Sequence, residues 1–83
     1  MDKWQARKRP PRLEKRFEFN SYEETRDFLD RLGDHSEAID RFPDISFGKQ
    51  YANITVRPDT EKEDAEITEE DYHFARDIDG LFN

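Results

Sequence analysis

No cysteine occurs among the 83 residues, which excludes a disulfide framework and a thiolate zinc site and suits a reducing compartment. The chain also lacks any apolar run near the roughly 20 residues that cross a bilayer. Met1-Asp2-Lys3-Trp4 opens without the apolar stretch of a secretory signal. A cytoplasmic protein away from membranes is the expectation. Histidine is almost missing: His35 and His73 are the only two. General acid-base chemistry near neutral pH leans on imidazoles, and nothing in the spacing of these two with carboxylates suggests a metal site. His35 reads as a polar residue near a helix end and His73 as one on a helix's polar flank.

Apolar residues are scarce. Charged residues make up 42% of the chain, against about 25% in an ordinary domain, so the apolar ones must be concentrated in one small core, with seven Phe supplying much of it. A chain this short buries only about 60% of its unfolded surface, and oligomerisation would help it.

What is abundant is charge, unevenly placed. Met1 to Arg16 holds seven basic and two acidic residues, and the remainder seven basic and nineteen acidic, within a net charge of −7. This is a basic segment on an acidic body. Residues 1–11 have no hydrophobic period and end in Pro10-Pro11, which favours extended geometry. They read as a flexible basic arm, with residues 12–83 as a single domain. Trp4 either packs onto that domain or anchors a partner. Arg7-Lys8-Arg9-Pro10-Pro11-Arg12 could meet phosphates, but no aromatics are interleaved to stack bases. An acidic protein surface explains the same charges at least as well, so nucleic acid is not the expected partner.

Arg12 to Phe19 alternates, with Leu13, Phe17 and Phe19 on one face interrupted by Lys15, and predicts a strand with one wet face. Ser21-Tyr22-Glu23-Glu24 is a capping box that opens a helix. Tyr22, Thr25, Phe28, Leu29, Leu32, Ser36 and Ile39 form its buried stripe. Gly33 costs that helix about 1 kcal/mol relative to Ala and is an alternative stop; otherwise the helix runs to Ile39 or Arg41, because Pro43 disfavours helical geometry at Phe42. Ile45-Ser46-Phe47 and Ala52 to Val56 flank Gly48-Lys49-Gln50 as a hairpin. Ala52, Ile54 and Val56 share one face; Tyr51, Asn53, Thr55 and Arg57 share the other, which is either wet or meets a partner. Asp59 to Glu66 reads as a solvated loop. Thr68-Glu69-Glu70-Asp71 starts a second helix, with Ile67 and Tyr72 as a hydrophobic staple and Phe74, Ala75, Ile78, Leu81 and Phe82 as its apolar side. The predicted fold is α+β in the order β-α-β-β-α, a small antiparallel sheet with two helices packed on one face.

The stretch EAIDRFPDISFGKQYANITVRP, Glu37 to Pro58, together with the spacing of Trp4 to Phe17 and Phe19, resembles the pterin-4a-carbinolamine dehydratase family. That family's motif runs acid, three residues, His-His-Pro, an aromatic, a third His and an Asp. Glu37, Pro43 and Asp71 fit it. The paired histidines are replaced by Arg41 and Phe42, the third by Asp59 and the aromatic by Lys49, with Tyr51 close by. Asp71, third after Thr68, also suits an acid at a helix N-terminus. Phe42 either fills core volume or forms part of a cationic and apolar surface with Arg41.

The resemblance implies the fold above. The lost histidines argue against the activity and the pterin, so no catalytic, metal-binding or cofactor-binding residue is expected. The length, those losses and the Trp-basic-Pro opening look most like the branch of the family that serves as a Rubisco assembly factor in α-carboxysome gene clusters. That branch implies a homodimer that binds Rubisco large subunits, with a carboxysome association. The partner-binding residues expected here are Arg41, Phe42, Tyr51, Asn53, Thr55 and Arg57. Two rivals stand beside this reading: a dehydratase in which Glu37, Asp59 and Asp71 carry the proton transfer, and a dimerisation or nucleic-acid-binding module.

Overall fold

In a computed structural model, described here for residues 4–8, 11–58 and 66–82, the chain forms β1 (Gln5–Lys8), β2 (Pro11–Glu18), α1 (Tyr22–Ile39), β3 (Asp44–Phe47), β4 (Tyr51–Val56) and α2 (Glu69–Leu81). The strands make one antiparallel sheet in the order β1-β2-β4-β3. The helices supply the apolar side of a core with the sheet, as the two stripes required. Leu13 and Phe17 of β2 and Ala52, Ile54 and Val56 of β4 meet Phe28 and Leu32 of α1 and Phe74, Ala75 and Ile78 of α2. Alternation then leaves Arg12, Glu14, Arg16 and Glu18, with Tyr51, Asn53 and Thr55, on the opposite, open face of the sheet.

The expected arm needs correcting at residues 5–8. Gln5 to Lys8 pair with Glu14 to Pro11 as an edge strand. All four of its residues are exposed, so no alternation of apolar residues announces it, and backbone pairing holds it instead. Trp4 fastens its start: Nε1 donates to Asp79 Oδ2 at 3.0 Å, and the ring meets Phe17 edge-on. Lys15, the break in the β2 pattern, is accommodated beside them, with Nζ 2.6 Å from Asp79 Oδ1 and 4.7 Å from the Phe17 ring centre. Pro11 is tolerated as the first residue of its strand. Arg9, Pro10 and most of the expected loop at Asp59 to Glu66 lie outside the described residues.

Both helices start as expected. Ser21 Oγ accepts from the Glu24 amide at 3.1 Å, and the Glu24 carboxylate reaches back to the Asn20 amide. Thr68 N–H and its hydroxyl both donate to Asp71 Oδ2, while Ile67 packs on the core and Tyr72 stays exposed. Helix α1 continues through Gly33 and stops at Asp40, which adopts a left-handed φ of 58°. The Asp40 and Arg41 amides then close back onto the Glu37 and Ser36 carbonyls, a termination that reverses the chain towards Pro43. Of the α1 stripe, Thr25, Phe28, Leu32 and Ser36 are buried, whereas Tyr22 and Ile39 are exposed. Thr25 ties α1 to the hairpin turn, its hydroxyl 2.8 Å from the Lys49 carbonyl.

Candidate functional site

The left-handed turn at Asp40 aims Arg41 back under the fold and Phe42 out of it. Arg41 is largely covered, with a side-chain exposure of 17%. Its guanidinium makes three contacts: it pairs with Asp71 Oδ1, donates to the Arg57 carbonyl at 2.8 Å, and lies 4.8 Å from the centre of the Phe74 ring. Asp71 is 1% exposed. Its second oxygen takes the Thr68 donors, so one carboxylate both caps α2 and neutralises Arg41. Burial of a lone carboxylate would be costly, and the guanidinium offsets that cost.

Around this pair runs a cleft of about 230 Å³ whose lining includes Asp40, Phe42, Asp44, Thr55, Arg57 and Phe74. Phe42 is 63% exposed; it is a surface knob and does not fill the core. Arg57 stands opposite with Nε 2.6 Å from Asp44 Oδ2, both well exposed. No imidazole or thiol lines the cleft. His35 sits between the helices, stacked on Phe74 and 3.4 Å from Asp77, and His73 is exposed on α2. Among the described residues no group of three or more His, Cys, Asp or Glu could hold a metal, and no helix is long and apolar enough to cross a membrane.

The six expected contact residues fall into two sets. Arg41, Phe42, Thr55 and Arg57 share the cleft. Asn53 lines a second groove on the open sheet face, and Thr55 lines both. Tyr51 lies further along β4, with the Arg16 guanidinium 4.1 Å from its ring centre; a Cβ at Gly48 would fall 2.3 Å from the same ring. Its faces are thus largely occupied within the chain. Glu37 is exposed on α1 and Lys49 sits in the hairpin turn, neither in the cleft, and Asp59 lies outside the described residues. Sequence reasoning missed Phe74 and Asp44 here. The Asp44↔Thr55 pairing in the hairpin was the one available signal for Asp44.

The acid at the motif's last position, Asp71, is buried beneath the Arg41 guanidinium. Known proteins agree with the fold. The sequence profile of the family described as pterin 4 alpha carbinolamine dehydratase matches residues 1–81. A protein of Rubrobacter xylanophilus named for pterin-4-alpha-carbinolamine dehydratase is 41% identical over 69 residues, covering 83% of this chain and 62% of that protein, so the chain spans less than two thirds of its relative. Among solved structures, a pterin dehydratase-like protein identified as a RuBisCO assembly factor in the alpha-carboxysome superposes with a TM-score of 0.86 at 38% identity, over 99% of this chain and 92% of that one. A transcriptional coactivator/pterin dehydratase from Brucella melitensis shares the fold, with a TM-score of 0.82 at 21% identity over 99% and 84% of the two chains. The chain belongs to the pterin-4a-carbinolamine dehydratase family.

Proposed function

We propose that the chain is a non-catalytic assembly factor that binds Rubisco large subunits as a homodimer and promotes their assembly, in the cytoplasm of α-carboxysome-containing bacteria. The observation that carries the reading is the Arg41–Asp71 pair, which turns two positions of a proton-transfer motif into a buried structural latch. The 38% identical structure described as a RuBisCO assembly factor supports the same conclusion. The contact surface is the exposed Phe42 with Arg57 and Thr55, continued along β4 by Asn53. Arg41 and Tyr51 support that surface from beneath and beside it. An aromatic knob flanked by arginine has the composition of a binding hot spot.

The homodimer uses the β3 edge. Unpaired edges invite pairing unless charge blunts them, and β1 carries Arg7 and Lys8 on its edge. Strand β3 instead leaves Ile45 and Phe47, at 42% and 53% exposure, uncovered on the face that carries the helices. A second copy pairing there extends the sheet and covers both. Phe47→Glu is expected to give a folded monomer by sedimentation; a dimer unaffected by it excludes this edge.

The function is tested by refolding Rubisco large subunits with and without the protein and measuring assembled enzyme. A higher assembled yield, lost with Phe42→Ala, is expected; an unchanged yield contradicts the reading. The 41% identical relative named for the dehydratase keeps that activity as the rival. Turnover of the carbinolamine, run beside a histidine-containing family member, is expected to stay at background, and acceleration like that member's would favour the rival.

A further inference from the structure

Arg7 and Arg12 stand directly opposite each other across β1 and β2. Like charges in that position oppose strand pairing. Here one carboxylate reconciles them: Glu14 accepts from Arg7 Nε at 3.2 Å with one oxygen and from Arg12 Nε with the other. Gln5 Oε1 takes a second donor of Arg7 at 2.7 Å. Arg16 follows on the same face, held by the Tyr51 ring and by Glu18 at 3.2 Å. The open side of the sheet therefore presents three positioned guanidiniums. A groove of about 490 Å³, whose lining includes Gln5, Glu14, Arg16, Asn53 and Thr55, runs along this face and meets the Phe42 cleft at Thr55.

The helical layer has the opposite sign. Six acidic side chains face two basic ones in α1, and five face one in α2. The helices pack on the other face of the sheet, and exposed charges further apart than about 10 Å are largely screened in 0.1 M salt. Beyond that distance the helical carboxylates contribute little on the sheet's far side, where Arg7, Arg12 and Arg16 stand against Glu14 and Glu18.

We propose that the open sheet face binds an acidic segment of a partner protein, with Arg7, Arg12 and Arg16 as its cationic contacts and Glu14 as the internal carboxylate that holds the first two in place. A guanidinium has five donors in a planar fork matched to carboxylates, and Arg7 is 51% exposed after its internal bonds are made. Glu14 is at once the organiser of the pair and a competitor of the incoming carboxylate. A nucleic acid suits this face less well. Single strands need open aromatic faces for stacking, and Tyr51, the aromatic ring on this face among the described residues, lies under Arg16. The proposal adds the partner's charge to the reading above and rests on it only for the partner being a protein.

The test needs no Rubisco, so its failure is distinct from failure of the assembly reading. The full chain is titrated with a short oligo-glutamate peptide, with oligo-lysine and with single-stranded DNA, following the arginine Nε–H resonances. Saturable shifts at Arg7, Arg12 and Arg16 with oligo-glutamate alone, weakening as salt rises, are expected. Glu14→Gln should tighten binding about two- to five-fold, the size of one exposed ion pair, and Arg16→Gln should weaken it by a similar factor. Equal shifts with oligo-lysine, tighter binding of the DNA, or no response to oligo-glutamate overturns the proposal. If Glu14→Gln unfolds the hairpin, Arg16→Gln decides, and unchanged affinity in that folded variant counts against the proposal.

Discussion

Asp71 caps α2 with one carboxylate oxygen and holds the guanidinium of Arg41, thirty residues earlier, with the other. Their mutual bond ties the end of α1, the carbonyl after β4 and the start of α2 into one latch. The neighbouring Phe42 is left exposed at the surface.

Removing Arg41 leaves a buried carboxylate uncompensated. Arg41→Ala is therefore expected to lower stability by about 3–5 kcal/mol, while Phe42→Ala, at a surface position, stays within about 0.5 kcal/mol of the parent. Urea unfolding of the two variants checks the difference. Equal, small effects would mean that the latch contributes nothing. The same contrast makes Phe42, and not Arg41, the residue for binding experiments.

Asp40 adopts the left-handed conformation at a helix end, where its charge also opposes the helix dipole. Asp40→Gly removes both penalties and is expected to stabilise the fold by about 1 kcal/mol, or about 4–8 °C in Tm for a domain of this size. A thermal melt showing no gain would indicate that the Asp40 side chain has a compensating role in the cleft.

The start of β1 is tied to α2 through a single acid, Asp79. Asp79→Ala removes the acceptor of both Trp4 and Lys15 and is expected to cost about 1–3 kcal/mol. Amide exchange at Gln5 to Lys8 should rise before that of β4 is affected. Uniform exchange across the sheet would show that β1 does not open separately.

The Arg12 guanidinium, and then that of Arg7, hold the Glu14 carboxyl below its ordinary value of 4.5. A folded value below the unfolded one means that its stabilisation is fully present above about 4.5 and is lost as pH falls through the lower, folded value. The stability difference between the parent and Glu14→Gln should thus be constant above pH about 5 and shrink on acidification. Unfolding curves across that range would reveal a flat difference if the two arginines exert no pull.

Much of this architecture is legible from residue order. The α1 and α2 stripes, the Ser21 and Thr68 caps and the inward Ala52, Ile54 and Val56 all follow from periodicity or local bonding, and the structure has them. Strand β1 is not legible, because a four-residue edge strand buries nothing and its anchor, Asp79, lies 75 residues from Trp4. The site divides in the same way. The motif spacing marks Arg41, Phe42 and Asp71, but only the fold shows that the first and last neutralise each other. Tyr51 reads as available from its face on β4; the covering Arg16 sits diagonally across the strand pair, opposite Asn53, a relation set by register.

The most direct measurement is native mass analysis of the protein mixed with Rubisco large subunits, comparing the parent with Phe42→Ala and Arg57→Glu. The account expects a defined complex carrying two copies of the chain, weakened by both substitutions while the free homodimer persists. No complex with the parent, or one indifferent to both substitutions, contradicts the assembly function or its placement at the Phe42 cleft.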